Sequence, residues 1–238
     1  MVQPLTMATR KSVDSVNCED CAIRASCTLN RLGNKERARL EPQIRERIFH
    51  RGDVLLEEGK IANYVRFVKL GTVFGYRQGL DGRSRPIGAV SRGGVLGIFS
   101  TFEMPSEATC VALTTVRACE VPVVDLREMC TCGSSLLVQI SRCVTEAFAA
   151  LTAWSEAMRL PGVANQLAYV LVLLADAGKA SVVQLPSHAA LAELLGTRRE
   201  SIARALRSLE SEGGIRRYER KRCEVYRNKL LMRLSHGG

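Results

Sequence analysis

The chain of 238 residues is long enough for two small domains, and its 46% apolar and 24% charged content excludes disordered and collagen-like classes. Lys and Arg outnumber Asp and Glu by 34 to 24, a net charge of +10 that suits a polyanionic partner. No run reaches the roughly 18 apolar residues of a membrane span; residues 167–175 come nearest and the start has no apolar signal core, so a cytoplasmic location without a membrane partner is expected.

Residues 1–32 are polar, hold three cysteines and show no period, which predicts an arm that needs something other than a core to order it. A short helix is expected over 34–44. Brief apolar runs follow at 54–56, 64–68, 72–76, 86–90 and 109–113, separated by turn signals such as Arg51-Gly52-Asp53, Asp81-Gly82 and Arg92-Gly93-Gly94. Strands this short and regularly spaced predict a β-barrel or β-roll domain over 33–133. Past Gly133 the period lengthens. Leu137, Ile140, Val144, Ala147, Leu151, Trp154 and Met158 alternate steps of four and three, the seam of a coiled coil. The helix over 134–160 would be roughly 40 Å long at 1.5 Å per residue, and Pro161-Gly162 ends it. Seven seam positions exceed what one face of a small domain needs, so a homodimer is expected; Leu136 and Cys143, on a neighbouring face, suit the chain's own core.

From 161 to 238 there are 13 Lys and Arg against 7 Asp and Glu, a net of +6, so positive charge concentrates in this last third. The pattern there predicts a helix over 163–177, a strand near 182–185, helices over 187–195 and 198–212, and a basic hairpin over 215–226. That order is a winged helix-turn-helix, which makes the whole chain α+β. Leu191, Leu194 and Leu195 form one apolar face and Ile202, Leu206 and Leu209 another, with Gly196 at the turn. The opposite face of the second helix carries Arg199, Glu200, Ala203, Arg204 and Arg207. Arginine can bridge the two acceptors of guanine, and glutamate can accept from the cytosine amino group. Against this, Thr197-x-x-Glu200 reads as a capping box that would turn the carboxylate onto the backbone. Ser187 and His188, at the start of the first helix, are further candidates for contact with double-stranded DNA.

Nine cysteines, an odd number, in a reducing compartment are expected as ligands, redox thiols or buried small side chains before structural disulfides. Cys18-x2-Cys21-x5-Cys27 is spaced to wrap one soft metal centre, with a fourth ligand from elsewhere. The spacing alone leaves an iron–sulfur cluster, zinc and a thiol switch open. Cys110 and Cys143 are expected to be buried, Cys130 and Cys132 to be spare thiols, and Cys223, preceded by Lys221 and Arg222, is a candidate thiol of lowered pKa. His50, His188 and His236 show no ligand spacing. Neither a nucleophile–base pair nor a Gly-rich phosphate loop is present, so an enzyme is not expected.

Residues 191–206, Leu-Ala-Glu-Leu-Leu-Gly-Thr-Arg-Arg-Glu-Ser-Ile-Ala-Arg-Ala-Leu, resemble the helix-turn-helix signature of the CRP/FNR superfamily of bacterial transcription regulators, and the β-roll glycines and long helix fall in that family's order. The resemblance implies a cyclic-nucleotide-binding-like β-roll sensor, a dimerisation helix, a twofold-symmetric operator and RNA polymerase as a partner. The arm is similar to the ligand run of the FNR branch, whose fourth ligand lies in a Cys-Glu-(Ile/Val)-Pro segment; Cys119-Glu120-Val121-Pro122 matches it. This implies an oxygen-labile [4Fe–4S] cluster on Cys18, Cys21, Cys27 and Cys119. Cyclic-nucleotide-binding members place an Arg-Ser pair on the phosphate, whereas residues 97–110 contain no arginine and carry Glu103 and Glu107, so no cyclic nucleotide is expected. Two departures stand out. Arg198 replaces the usual Ser or Thr before the recognition helix. Arg199-Glu200 with Ala203-Arg204 looks more like the CRP branch's Arg-Glu-x-x-x-Arg than the FNR branch's Glu-x-x-Ser-Arg, which favours half-sites closer to TGTGA than to TTGAT.

Overall fold

The computed structural model describes residues 12–13, 18–131, 135–219 and 222–236; Cys132 and Lys221 lie outside them. In chain order the strands are β1 (Ser12–Val13), β2 (Arg45–Phe49), β3 (Val54–Leu56), β4 (Tyr64–Leu70), β5 (Val73–Gln78), β6 (Ser84–Val90), β7 (Val95–Leu96), β8 (Thr109–Ala112), β9 (Val116–Pro122), β10 (Val182–Gln184), β11 (Ile215–Glu219) and β12 (Arg222–Val225). The helices are α1 (Asn34–Leu40), α2 (Val123–Thr131), α3 (Ser135–Arg159), α4 (Val163–Gly178), α5 (His188–Leu194), α6 (Arg199–Ser211) and α7 (Arg227–His236), with short 3-10 turns at Arg24–Ser26, Thr28–Arg31, Glu41–Gln43 and Ile98–Phe102. Two compact units result. The first holds residues up to 78 with 90–148, the second 79–89 with 149–238.

In the first unit one antiparallel sheet runs β1-β2-β9-β4-β7, while β3, β8 and β5 lie side by side in another. Side chains alternate across β9 as the pleat requires. Val116 and Ala118 face an inner core with Phe49, Leu55, Val68 and Val73. Cys119 and Val121 face outward into a second core with Val65, Phe67, Leu29, Leu40, Leu126 and Ile140. Each fully buried Leu, Ile or Phe contributes roughly 1.5–3 kcal/mol, so both faces of the sheet hold the unit together. On the inner side Glu120 is buried with Arg66, whose Nε donates to it at 2.8 Å while Nη1 donates to the Leu55 carbonyl at 2.6 Å. Gly71, at φ +93°, takes the β4–β5 turn where a Cβ would sit 2.3 Å from the Thr115 carbonyl oxygen.

The structure departs from the sequence reading here in several places. The arm is not coreless: Ile23, Leu29 and Leu32 are buried. The charged Arg45-Glu46-Arg47 run conceals β2, because Glu46 and Arg47 meet opposite charges from β4 and β9. The strand β7 and the helices α2 and α7 were also not foreseen, and residues 41–43 leave the helical path of α1 as a 3-10 turn.

In the second unit α4 packs against α6 and α7, and β10-β12-β11 form a small antiparallel sheet. Leu167, Leu171, Leu191, Ile202, Leu206 and Leu209 are fully buried there. Leu195 and Gly196 end α5, Gly196 at φ +59°, where a β-branched residue would be strained.

Candidate metal centre and DNA-binding surface

Cys18, Cys21, Cys27 and Cys119 line one pocket together with Arg24, Arg37 and Phe67. The sheet register explains the fourth thiol. Cys119 stands opposite Glu46 on β2 and Phe67 on β4, so all three side chains emerge on the face the arm covers. The arm brings the other three. Its two 3-10 turns are closed by backbone hydrogen bonds such as Ser26 N–H to the Ile23 carbonyl at 2.9 Å, and the Cys18 N–H donates to Glu41 at 3.3 Å. Arg92 fixes the arm from the body of the roll by donating to the Ala22 carbonyl at 2.6 Å.

All four thiols are free. Burial pushes the Cys119 thiol up to about 12, and burial is also the chief cause of the raised values at Cys18 and Cys27. Among the described residues no three of His, Cys, Asp and Glu converge closely enough to hold a single metal ion. Tetrahedral zinc needs every sulfur about 2.3 Å from one centre. A cubane carries its irons at separate corners and takes one thiolate at each. Arg24 and Arg37 donate to neutral acceptors, the Glu19 carbonyl and the Asn30 side chain, both at 3.1 Å, and add positive charge to a pocket of would-be thiolates.

The remaining cysteines divide. Cys110 is buried in the inner core, as expected, with its thiol raised to about 11. Cys143 is only half-buried and meets the Thr28 hydroxyl at 3.5 Å. Cys130 ends α2 against the outer core. The candidate of lowered pKa is overturned: Cys223 is fully buried in β12 and burial pushes it up to about 11.

The arm also grips α3. Besides the Thr28–Cys143 contact, Arg31 pairs with Glu146 at 3.6 Å, the Gly33 N–H donates to the Ser135 hydroxyl at 3.4 Å, and that hydroxyl donates to Glu36. At 100° per residue, Ser135, Cys143 and Glu146 share the side of α3 opposite Leu137, Val144, Phe148 and Leu151. These last four are exposed, Phe148 by 71%. The predicted seam is therefore corrected at two positions. Ile140, 5% exposed, belongs to the outer core, and Trp154, 6% exposed, lies 3.6 Å from the position of a Cβ on Gly88. Met158 is half-buried, Ala147 is exposed, and Phe148 joins the stripe. α3 is also long and apolar enough to cross a membrane by length and composition, with a mean hydropathy of 1.3 over 18 residues, contrary to the reading of 167–175 as the nearest candidate. Its apolar residues reach that mean by lining both a core face and an open face.

On the second unit the recognition surface is built by caps and turn. The Ser187 hydroxyl accepts from the Ala190 N–H at 3.1 Å and starts α5. The Thr197 N–H donates to the Ala192 carbonyl at 2.8 Å across the turn. Arg198 is the N-cap of α6 and supplies no side-chain cap, so the capping box on Thr197 does not form and Glu200 is not turned onto the backbone. Arg199, Glu200, Arg204 and Arg207 are all exposed, with Ala203 half-buried between them; Ser187 is exposed and His188 half-buried. The hairpin β11–β12 adds Arg216, Tyr218 and Arg222, also exposed, with the Arg216 guanidinium 5.2 Å from the Tyr218 ring centre.

Residues 46–131 match the family described as the cyclic nucleotide-binding domain, and residues 165–234 match the Crp-like helix-turn-helix domain. Similar solved structures include FixK2 from Bradyrhizobium japonicum, at 19% identity and a TM-score of 0.68 over 79% of this chain and 95% of that one. A CRP-family transcriptional regulator from Thermus thermophilus shares 19% identity at a TM-score of 0.64 over 79% and 96%. The c-di-GMP responsive global regulator CLP from Xanthomonas campestris shares 19% at 0.61 over 82% and 99%. Likenesses at this identity speak to the fold. No curated protein matches the chain.

Proposed function

Because the chain belongs to the CRP/FNR family of transcription regulators, which bind DNA and function as dimers, we propose that it reads oxygen or redox state through a [4Fe–4S] cluster on Cys18, Cys21, Cys27 and Cys119. The observation that carries this reading is the meeting of three arm thiols and one sheet thiol around a single pocket. When bound, the cluster supplies an oxygen-labile link between arm and sheet. The arm in turn holds α3 through Thr28, Arg31 and Gly33 on the side away from the exposed stripe. Ordering the arm thus bears on how α3 presents Leu137, Val144, Phe148 and Leu151 to a second copy. An effector shifts such an equilibrium only by its differential affinity for the two states, so the dimer must be marginal without it.

Anaerobic purification tests the reading. The expected protein is brown, carries iron and sulfide in equal amounts, and loses its colour in air. A colourless protein with stoichiometric zinc would replace this reading with a structural zinc site. A cyclic nucleotide is not the proposed effector despite the match of 46–131. Glu103 and Glu107 stand exposed in the segment where a phosphate would be met, paired with Arg127 at 2.8 Å and Arg77 at 3.1 Å. RNA polymerase is the proposed protein partner.

On DNA, Glu200 and Arg204 lie one turn apart on the open face of α6 and can share one G·C pair, while Arg199 reads a second guanine. Half-sites closer to TGTGA than to TTGAT are therefore expected, about one helical turn apart. Arg199→Ala should relax only the outer G·C position, by about 1–3 kcal/mol, in a selection from random DNA. A uniform loss of affinity across all sequences would make Arg199 a phosphate contact.

A further inference from the structure

The arm's cysteines flank two short 3-10 turns, whose hydrogen-bond geometry is poorer than that of an α-helix. Three polar side chains that line the same pocket as the thiols reinforce them: Arg24, Asn30 and Arg37. Their hydrogen bonds form one chain. The Arg24 guanidinium reaches back over Cys21 and donates to the Glu19 carbonyl at 3.1 Å. The Asn30 amide reaches back over Cys27 and donates through Nδ2 to the Arg24 carbonyl, also at 3.1 Å. Arg37, from α1, donates through Nη1 to Asn30 Oδ1 at 3.1 Å and through Nη2 to Asn34 Oδ1 at 3.5 Å. Each of the first two bonds therefore closes a loop of chain around one cysteine, and the third ties both loops to α1. That helix is anchored in turn, because Leu40 at its end is buried in the outer core.

Polarity gives the chain a direction. A guanidinium has donors and no acceptor, whereas a side-chain amide has one end of each kind. With Oδ1 held by Arg37, the amino end of Asn30 is left to face Arg24, where it meets a carbonyl. Arg37 thus decides which end of Asn30 the arm meets.

We propose that Arg37 and Asn30 are positioning residues of the thiol pocket. Arg37 orients the Asn30 amide, and Asn30 passes that hold through Arg24 to the loops that carry Cys21 and Cys27. Resting on the function proposed above, the same relay slows release of the cluster from the arm. Neither residue is a ligand.

The test uses the full chain, freed of metal by an anaerobic chelator, and follows amide hydrogen exchange. Arg37→Met should speed exchange at the Arg24, Ser26, Cys27 and Asn30 amides, whose N–H groups close the turns, about tenfold, the effect of losing one hydrogen bond. Exchange in β9 should not change and serves as the internal control. Asn30→Asp is the sharper variant. It keeps the size of Asn30 and gives Arg37 a charged acceptor, yet it sets an oxygen against the Arg24 carbonyl, so the same amides should again exchange about tenfold faster. The two substitutions cut one chain, so the double variant should be no faster than either alone. Additive effects, or unchanged exchange in Asn30→Asp, overturn the relay whatever metal the protein holds. In protein reconstituted with iron and sulfide, Arg37→Met should give up iron to a chelator about tenfold faster; an unchanged rate removes the relay from cluster retention. Failure of the wild-type chain to take up iron and sulfide overturns the cluster reading instead, while hydrogen exchange still decides the relay.

Discussion

Replacing Cys119 by serine is expected to abolish the brown chromophore completely, with the fold intact. The thiol sits in the middle strand of a five-stranded sheet, and serine is nearly its size, so β9 keeps its hydrogen bonds to β2 and β4. What is lost is one of four soft donors, which leaves one iron incompletely ligated. Serine at Cys18, Cys21 or Cys27 should have the same effect. Serine at Cys110 or Cys143 should not, since Cys110 faces the inner core and Cys143 faces Thr28, which a hydroxyl can also meet. Anaerobic absorbance and iron content, read beside circular dichroism, check this. A C119S protein with full colour and iron removes Cys119 from the ligand set.

Glutamate at Phe148 or Leu151 is expected to give a folded monomer whose operator affinity falls at least about 100-fold, because two linked readers gain 10²–10⁴ in avidity over one. Both side chains are exposed on α3, so a charge there costs the monomer little and penalises an apolar seam. Ile140→Glu should instead unfold the sensor, since that position is buried against Leu126 and Leu136. Sedimentation of the three variants separates these outcomes. A dimeric, tightly binding Phe148→Glu protein would place the contact between copies elsewhere.

The contrast between Ile140 and Phe148 shows where reading from periodicity stops. A run of steps of four and three identifies an apolar helix and its length, but α3 carries apolar residues on more than one face. Which face meets the chain's own sheet depends on the register of distant strands. The same limit hid β2, whose Arg-Glu-Arg run looks like a solvated loop until Lys69, Arg117 and Glu120 are brought to it by folding. By contrast the helix-turn-helix was legible almost to the residue. Its signals are local: a serine that caps α5, a glycine at positive φ, and apolar spacing on two short helices. The thiols fall between these cases. Cys18, Cys21 and Cys27 announce themselves by proximity in sequence, whereas Cys119 is joined to them only by strand pairing.

The placement of Cys119 on β9 has a mechanical consequence. Its strand is stitched on both edges, whereas the other three cysteines sit on a segment of one-turn helices fastened by a few hydrogen bonds and by Leu29 and Leu32 in the outer core. Opening a doubly paired strand requires sub-global unfolding; opening a one-turn helix does not. A centre held in this way has a fixed jaw and a movable one. Were the proposed cluster lost and rebuilt, the rearrangement would fall on the arm, and the sheet would keep the template to which the arm returns.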